Sequence, residues 1–489
     1  MRTTAAVAAV DLGATSGRVI LGGLEDGRLR LRHVARFPNQ PVRLHEGDRA
    51  GLHWNITELH RSLTAGLAQA LRGDDVVSVG VDSWAVDYAL LRNGRMLGVP
   101  YHYRDERTAA GVAAVHGQVP PEELYARNGL QHLPFNTVFQ LAADRVAGDL
   151  DVADRALLIP DLIAYWLTGQ QVAEATNAST TGLLDARTGQ WDTGLLGELG
   201  LARGLLAPVV APGTTIGALL PGVAAELGAG PGMPVTAVGS HDTASAVAAV
   251  PSTAEDAAFI SSGTWSLVGI ELEAPVLSED SRAANFTNEG GVDGRVRYLK
   301  NVSGLWLLTE SMRTWDGPGA TDAQRSSDLA ALLAEAAAVS RPVPVFDATD
   351  DRFTAPGDMP ARITAWCHEH DAEPPRTRAE VVRSILESLA AAYATTIEQA
   401  ERLSGRSIRT VHIVGGGSQN ALLCQLTADR TGRPVHAGPV EATAIGNVLV
   451  QLRAAGVVPG TLEALRDLVA RTFEPVRYVP RVLSPARRP

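Results

Sequence analysis

The spacing of apolar positions along the chain switches repeatedly between short continuous runs and a helical period. Ala5–Leu12 is a run of small and aliphatic residues, interrupted only by Asp11, and reads as a buried strand. Arg18–Leu24 and Arg28–Phe37 flank Glu25-Asp26-Gly27, and Asp-Gly between apolar runs is a hairpin signal. At Ile56 the period lengthens. Ile56, Leu59, Leu63, Leu67 and Leu71 fall on one helical face, with Asn55 as the expected cap and Glu58 completing a capping box. Val76–Val81 predicts the next strand. Further on, Thr377 and Glu380 open a helix striped by Val381, Ile385, Leu389 and Ile397. Ile413–Val414 ends a strand, after which Ser418 is expected to cap a helix through Leu422, Leu423 and Leu426. Strands and helices that alternate over the whole length predict an α/β fold.

A short repeat suggests how that fold is divided. SGRVILGG (16–23) is echoed by SGTWSLVG (262–269), an offset of 246 in a chain of 489 residues. Each copy follows an apolar strand and runs into another. Two domains of similar topology are therefore expected, residues 1–246 and 247–489, with the boundary near 246–257. The length suits two cores better than one.

Composition narrows the function. Hydrophobic residues at 45 % and charged residues at 20 % describe a globular chain, and a net charge of −11 argues against a nucleic-acid partner. Of 43 basic residues only Lys300 is a lysine, and it lies between Leu299 and Asn301. A Walker A loop, which needs Gly-Lys-Ser/Thr, is excluded, as is the early-strand lysine of protein kinases. Cys367 and Cys424 form no CxxC pair, so disulfide and zinc scaffolds are not expected, and free thiols suit a reducing cytosol. The apolar start ends at Asp11, short of a signal peptide, and no run reaches the roughly 20 residues that span a bilayer. A cytoplasmic protein without a membrane partner is the expectation.

Four segments carry candidate chemistry. VDLGATSGR (10–18) delivers Asp11 at a strand end and follows it with a turn whose free N–H groups could form a phosphate nest, while Asp11 could hold Mg²⁺ through water. The plainer reading is an ordinary hairpin turn with a solvated aspartate. FISSGTWSLVG (259–269) offers a second nest through Ser261–Thr264. IVGGGSQNALLCQLTAD (413–429) places three glycines between strand and helix, where a flat ligand could lie on bare backbone. It is not the dinucleotide fingerprint, because Asn420 stands where the last glycine of GxGxxG should be. VGSHDTASAV (238–247) puts Asp242 at a helix start, either as a proton acceptor or simply as a cap. His368-Glu369-His370 lacks a third ligand and reads as surface, and Trp166, Trp191 and Trp366 read as packing.

Taken in order, these motifs resemble the FGGY carbohydrate kinases of the sugar kinase/actin/Hsp70 ATPase superfamily, from about Ala6 to about Gly456. VDLGATSGR matches the first phosphate motif, FISSGTWSLVG the second, and VGGGSQNALLCQLTAD with EATAIGN (441–447) the adenosine-side motif. EATNASTTGLLDARTGQWD (174–192) is a general family segment. VDSWAVDY (81–88), YHYRDERT (101–108), GLQHLPFNT (129–137), SHDTASAV (240–247), NFTNEGG (285–291) and YLKNVSGLW (298–306) resemble the branch that phosphorylates L-rhamnulose.

The resemblance implies two ribonuclease H-like domains of the actin-like ATPase type, with the active site in the cleft between them. The first carries the sugar site and catalytic base, the second the adenosine site. It implies transfer from ATP, with Mg²⁺, to O1 of L-rhamnulose. Asp242 would be the general base. His241, Thr243, Ala85, Trp84 and Asn301 would contact the sugar. Ala14, Thr15, Ser16, Gly17, Arg18, Thr264, Thr309 and Gly416 would contact ATP, and Asp11 would hold the metal. A monomer or homodimer is expected. Two positions depart from the pattern: Ala85 replaces a frequent glycine, and Thr309 stands where some members have glutamine. The rival readings are a family kinase for L-fuculose or D-xylulose and, more distantly, a non-sugar ATPase of the same superfamily.

Overall fold

Strands β1 (Ala6–Leu12), β2 (Ser16–Glu25) and β3 (Arg28–Pro38) form the antiparallel start of a six-stranded sheet. The computed structural model describes residues 5–481 apart from 48, 73–74 and 317–321. The β2–β3 turn carries Asp26 and Gly27 at φ of 49° and 74°, the left-handed pair that Asp-Gly tolerates best. Strands β4 (Val76–Ser83), β5 (Thr215–Ala218) and β6 (Pro234–Thr236) complete the order β5-β6-β4-β1-β2-β3. β4 is parallel to both β1 and β6, and β5 is antiparallel to β6.

The protein divides into two compact units. Unit 1 holds Met1–Thr253 together with two later segments, Glu271–Tyr298 and Glu441–Phe473. Its helices sandwich the sheet. Helix α1 (Ile56–Ala70) buries Ile56, Leu59, Leu63 and Leu67, each worth roughly 1.5–3 kcal/mol of transfer free energy. Gly66 lets α1 approach β2: a Cβ there would stand 2.7 Å from Val19 Cγ2. Short helix α2 (Asp242–Ala248) follows β6. A later helix, Ala442–Ala454, crosses β2 at Gly22, where a Cβ would meet Val448 at 2.5 Å. Val19 and Gly22 are three positions apart on one strand, so the two helices lie on opposite faces.

Unit 2 (Ala254–Ile270, Leu299–Val440, Glu474–Pro489) repeats the plan. Strands β7 (Ala257–Ser262), β8 (Trp265–Leu272), β9 (Val296–Ser303), β10 (Thr410–Val414), β11 (Val435–Ala437) and β12 (Val476–Tyr478) run in the order β9-β8-β7-β10-β11-β12. β7 is antiparallel to β8 and parallel to β10, β10 is parallel to β11, and β12 is antiparallel to β11. Where both are defined, these senses match unit 1 strand for strand, but the two octapeptides are not in register on that plan: residues 16–23 lie wholly on β2, whereas 262–269 start on the last residue of β7 and cross the turn into β8. Helices α3 (Trp306–Trp315), α4 (Arg378–Ser404) and α5 (Ala421–Thr431) belong to this unit, and we number Ala442–Ala454 as α6. Val381, Ile385, Leu389 and Ile397 are all buried on α4.

Two expected caps differ. Asn55 precedes α1 without a side-chain cap, because Glu58 turns outward to Arg61 and Ser62 instead of back to the chain. α5 is capped by Asn420, whose Oδ1 accepts from Leu423 N at 3.0 Å. Ser418 lies one turn earlier, in a 3-10 segment, with its hydroxyl on the Gly415 carbonyl at 2.7 Å. His370 stacks on Trp366 with ring centroids 4.0 Å apart, and Glu369 pairs with Arg352 at 2.7 Å, so that segment is occupied with packing. Among the described residues no helix is long and apolar enough to cross a membrane.

Candidate active site

Three carboxylates collect at the carboxyl ends of adjacent parallel strands in unit 1, where open α/β sheets take their ligands. Register pairs Asp11 of β1 with Asp82 of β4, and a further bridge pairs Ser83 with His241, the residue before Asp242. Asp11 is 2 % exposed and Asp82 fully buried. Burial raises the Asp11 pKa to about 6, against the opposing charge of Arg18 and with the help of neighbouring Asp242 and Glu441. Burial likewise pushes Asp82 well above the ordinary carboxylate value, with the Asp11 charge adding to it. Asp242 is raised by burial too, while the His241 ring, the Thr243 hydrogen bonds and Arg297 oppose. Its side chain keeps 30 % of its surface open, so solvent blunts that shift.

Each carboxylate is held differently. Arg18 Nε lies 3.3 Å from Asp11 Oδ2, and its Nη1 pairs with Glu441 Oε2. Asp82 Oδ2 accepts from Asn447 Nδ2 at 2.5 Å, and Asn447 is steadied in turn by Gln451 Nε2 at 2.6 Å. Asp242 Oδ1 takes the Thr243 hydroxyl at 3.2 Å. Glu441 and Asn447 come from the EATAIGN segment, read in sequence with the adenosine-side motif, and here they pack within unit 1. Gly446 permits it: a Cβ there would sit 1.8 Å from the Ser245 carbonyl oxygen on α2.

The turn between β1 and β2 is tied to Asn39 through two of its carbonyls. Asn39 Nδ2 donates to Gly13 O at 2.8 Å, Asn39 N donates to Thr15 O at 3.0 Å, and Gly13 N donates to Ser16 O at 3.0 Å. In a trans peptide the next N–H points opposite the carbonyl, so the Ala14 and Ser16 amides face away from Asn39. Asn39 was not among the residues singled out from sequence. Gly17 has a packing reason of its own, because a Cβ there would stand 2.2 Å from the Phe37 ring.

Trp84 is buried beside Trp54, ring centroids 3.8 Å apart, and both indole N–H groups donate to Asp87 Oδ2, at 3.1 and 2.6 Å. Gln140 Nε2 and the Tyr103 amide also donate to this carboxylate. Burial nonetheless lifts the Asp87 pKa to about 7. Ala85 is half-buried, and Val86 after it holds φ of 65°, a conformation a β-branched residue adopts only under constraint. The constraint is visible: the Val86 carbonyl accepts from Thr137 Oγ1 at 2.7 Å.

In unit 2 Thr264, Asn301, Thr309 and Gly416 lie on β7–β8, β9, α3 and the β10–α5 turn. The Thr264 carbonyl accepts from Trp306 N at 3.1 Å, fixing the second loop to α3, on which Thr309 is exposed. Asn301 is half-buried. The three glycines after β10 divide by purpose. Gly415 needs its φ of 82°, and a Cβ on Gly417 would strike Ser262 Oγ at 2.0 Å, whereas a Cβ on exposed Gly416 would meet nothing within 4 Å.

Residues 6–249 match the N-terminal domain, and residues 258–455 the C-terminal domain, of the FGGY family of carbohydrate kinases. The chain belongs to that family. It is a sugar kinase. A rhamnulokinase of Bacteroides thetaiotaomicron is 41 % identical over 480 residues, covering 97 % of this chain and 96 % of its own. A rhamnulokinase of Pectobacterium atrosepticum is 43 % identical over 484 residues, covering 98 % and 94 %. Among solved structures, xylulose kinase from Rhodospirillum rubrum aligns with a TM-score of 0.74 at 20 % identity, covering 98 % and 94 %. Plasmodium falciparum glycerol kinase with ADP aligns at 0.73 and 15 % identity, covering 97 % and 94 %. These likenesses, with the repeated sheet order, give the two-domain fold of the actin-like ATPases.

Proposed function

We propose that this kinase transfers the γ-phosphoryl group of ATP to O1 of L-rhamnulose, yielding L-rhamnulose 1-phosphate and ADP, as a cytoplasmic step of L-rhamnose catabolism. The observation that carries the substrate is the identity of 41–43 % to rhamnulokinases over nearly the full chain. The chemistry needs positioning, charge neutralisation and one proton acceptor. Asp242, open on one side and desolvated on the other, is proposed to take the O1 proton as the new P–O bond forms. His241, Thr243, Ala85 and Trp84 are assigned to the sugar in unit 1, and Asn301 in unit 2. Amides and side chains of Ala14–Arg18 are assigned to phosphate, with Thr264, Thr309 and Gly416 assigned to the nucleotide from unit 2.

Asp11 suits a divalent cation. Its Oδ2 is buried without a hydrogen bond, and a hard oxygen donor is what Mg²⁺ prefers. When bound there, Mg²⁺ would offset phosphate charge. Asp82 lies beside Asp11 in register and is held by Asn447.

Coupled ADP release over a panel of ketoses, aldoses and polyols tests the assignment. L-Rhamnulose should give the highest kcat/KM. A higher value with D-xylulose or L-fuculose would move the protein to another branch of the family.

A further inference from the structure

Behind His241 lies a guanidinium with no exposed surface. Arg297 Nε donates to the Gly290 carbonyl at 2.8 Å, Nη1 stands 3.1 Å from Glu289 Oε2, and Nη2 stands 3.1 Å from His241 Nδ1. Glu289 Oε2 is also 3.4 Å from His241 Nδ1. On the other side of the ring, Nε2 faces Asp242 Oδ1 at 3.6 Å. The His241 amide is tied to Thr176 Oγ1 at 3.3 Å, so ring and backbone are both held.

An arginine side chain has five donors and no acceptor, and it does not deprotonate in a protein. The Nη2–Nδ1 contact is therefore a hydrogen bond only if Nδ1 offers its lone pair. A proton on Nδ1 would set two N–H groups against each other across 3.1 Å. Glu289 could accept from Nδ1, but its nearest oxygen is farther away and already faces Arg297 Nη1. The ring proton then belongs on Nε2, toward Asp242.

We infer that Arg297 is a positioning residue that holds His241 as the neutral Nε2–H tautomer, so that the ring donates toward the reacting carboxylate and cannot itself accept the sugar proton. This rests on the reading of Asp242 as base and deepens it. Two candidate bases stand side by side, and the arginine removes one. His241 keeps a single function, presenting N–H to Asp242 or to a sugar hydroxyl, and the proton of O1 has one acceptor left.

The test reads the tautomer directly. Full-length protein labelled with ¹⁵N-histidine is examined by long-range ¹H–¹⁵N correlation at neutral pH, the His241 signals being assigned by their loss in His241→Gln. The expected result is one tautomer, Nδ1 unprotonated and Nε2 protonated. A proton on Nδ1, a tautomer mixture or an imidazolium overturns the inference without any substituted protein. Arg297→Met takes the guanidinium away from a buried carboxylate, Glu289, and is expected to be poorly stable, so Arg297→Met/Glu289→Gln, which removes both charges, is the second arm. In that variant His241 should lose its single tautomer, and kcat should fall about 10-fold or more with KM for ATP changed less than about twofold. An unchanged tautomer and kcat in the folded double variant would also overturn it. Normal turnover in Asp242→Asn is a separate result: it would retire Asp242 as base, while the spectrum still decides the tautomer.

Discussion

Replacing Asp11 by Asn should make the metal-free protein more stable as pH rises, relative to wild type. The carboxyl holds its proton up to about pH 6 in the folded state, against 3.8 for the free group. Between those values the folded state binds more protons than the unfolded chain, so this group's contribution falls as pH climbs from about 4 to about 6 and is constant beyond. A displacement of this size corresponds to roughly 3 kcal/mol at neutral pH. No large discount for solvent applies, because the Asp11 side chain is only 3 % exposed. Asn is nearly isosteric and removes the titration, while Arg18 keeps Glu441 as a partner. Urea unfolding of both proteins in chelator at pH 4, 5, 6 and 7 measures the difference. It should grow by about 2.5 kcal/mol in favour of Asp11→Asn across that range, the rest of the effect lying below pH 4. Turnover with Mg²⁺ should meanwhile fall steeply, since the proposed carboxylate ligand becomes a neutral amide. A stability difference that does not change with pH would refute the argument that burial outweighs the Arg18 charge.

Other substitutions separate the proposed roles. Asp242→Asn should lower kcat by about 10²-fold or more with the fold intact, in the range for a lost general base, as stopped-time ADP release would show. Gly416→Val adds atoms where the protein has none within 4 Å, so it should fold normally and raise KM for ATP more than KM for sugar. Equal effects on both constants would make that turn structural. Ala85→Leu should lower kcat/KM for L-rhamnulose and spare ATP binding measured by calorimetry. Wild type should prefer L-rhamnulose to a ketose with a 6-hydroxyl by no more than about 10²-fold, because an apolar wall such as Trp84 rejects an added hydroxyl weakly.

Local patterning made much of the fold legible. The Asp-Gly hairpin and the α1 and α4 stripes depend on neighbours within a few residues, and each is found where the pattern puts it. Caps were less legible, because Asn55, Ser418 and Asn420 are all competent cap residues and only the packed chain selects among them. In the site, Asp11 and Asp242 stood out as aspartates at element ends. Their surroundings did not. Asp82 is buried by a helix 365 residues later, Arg18 is shared with Glu441 423 residues away, and Arg297 reaches His241 across 56. No periodicity or motif spacing encodes such pairings.

The late segment Glu441–Phe473 has a consequence for synthesis on the ribosome. Translation proceeds at about 5–20 residues per second, so helix α6 emerges on the order of 10–40 s after Thr253. During that interval the nascent first unit lacks the amide that meets Asp82, the valine that fills the space at Gly22 and the helix that closes over Ser245. The intervening stretch, Ala254–Ile270 with Leu299–Val440, is free to form its own sheet first. Completion of the earlier-made unit therefore waits on the synthesis of Glu441–Phe473, and a ribosome that stalls or terminates before codon 441 releases a chain with an unsealed interior. Such truncated products should be captured by chaperones or degraded, which couples quality control to the same helix whose Asn447 holds Asp82.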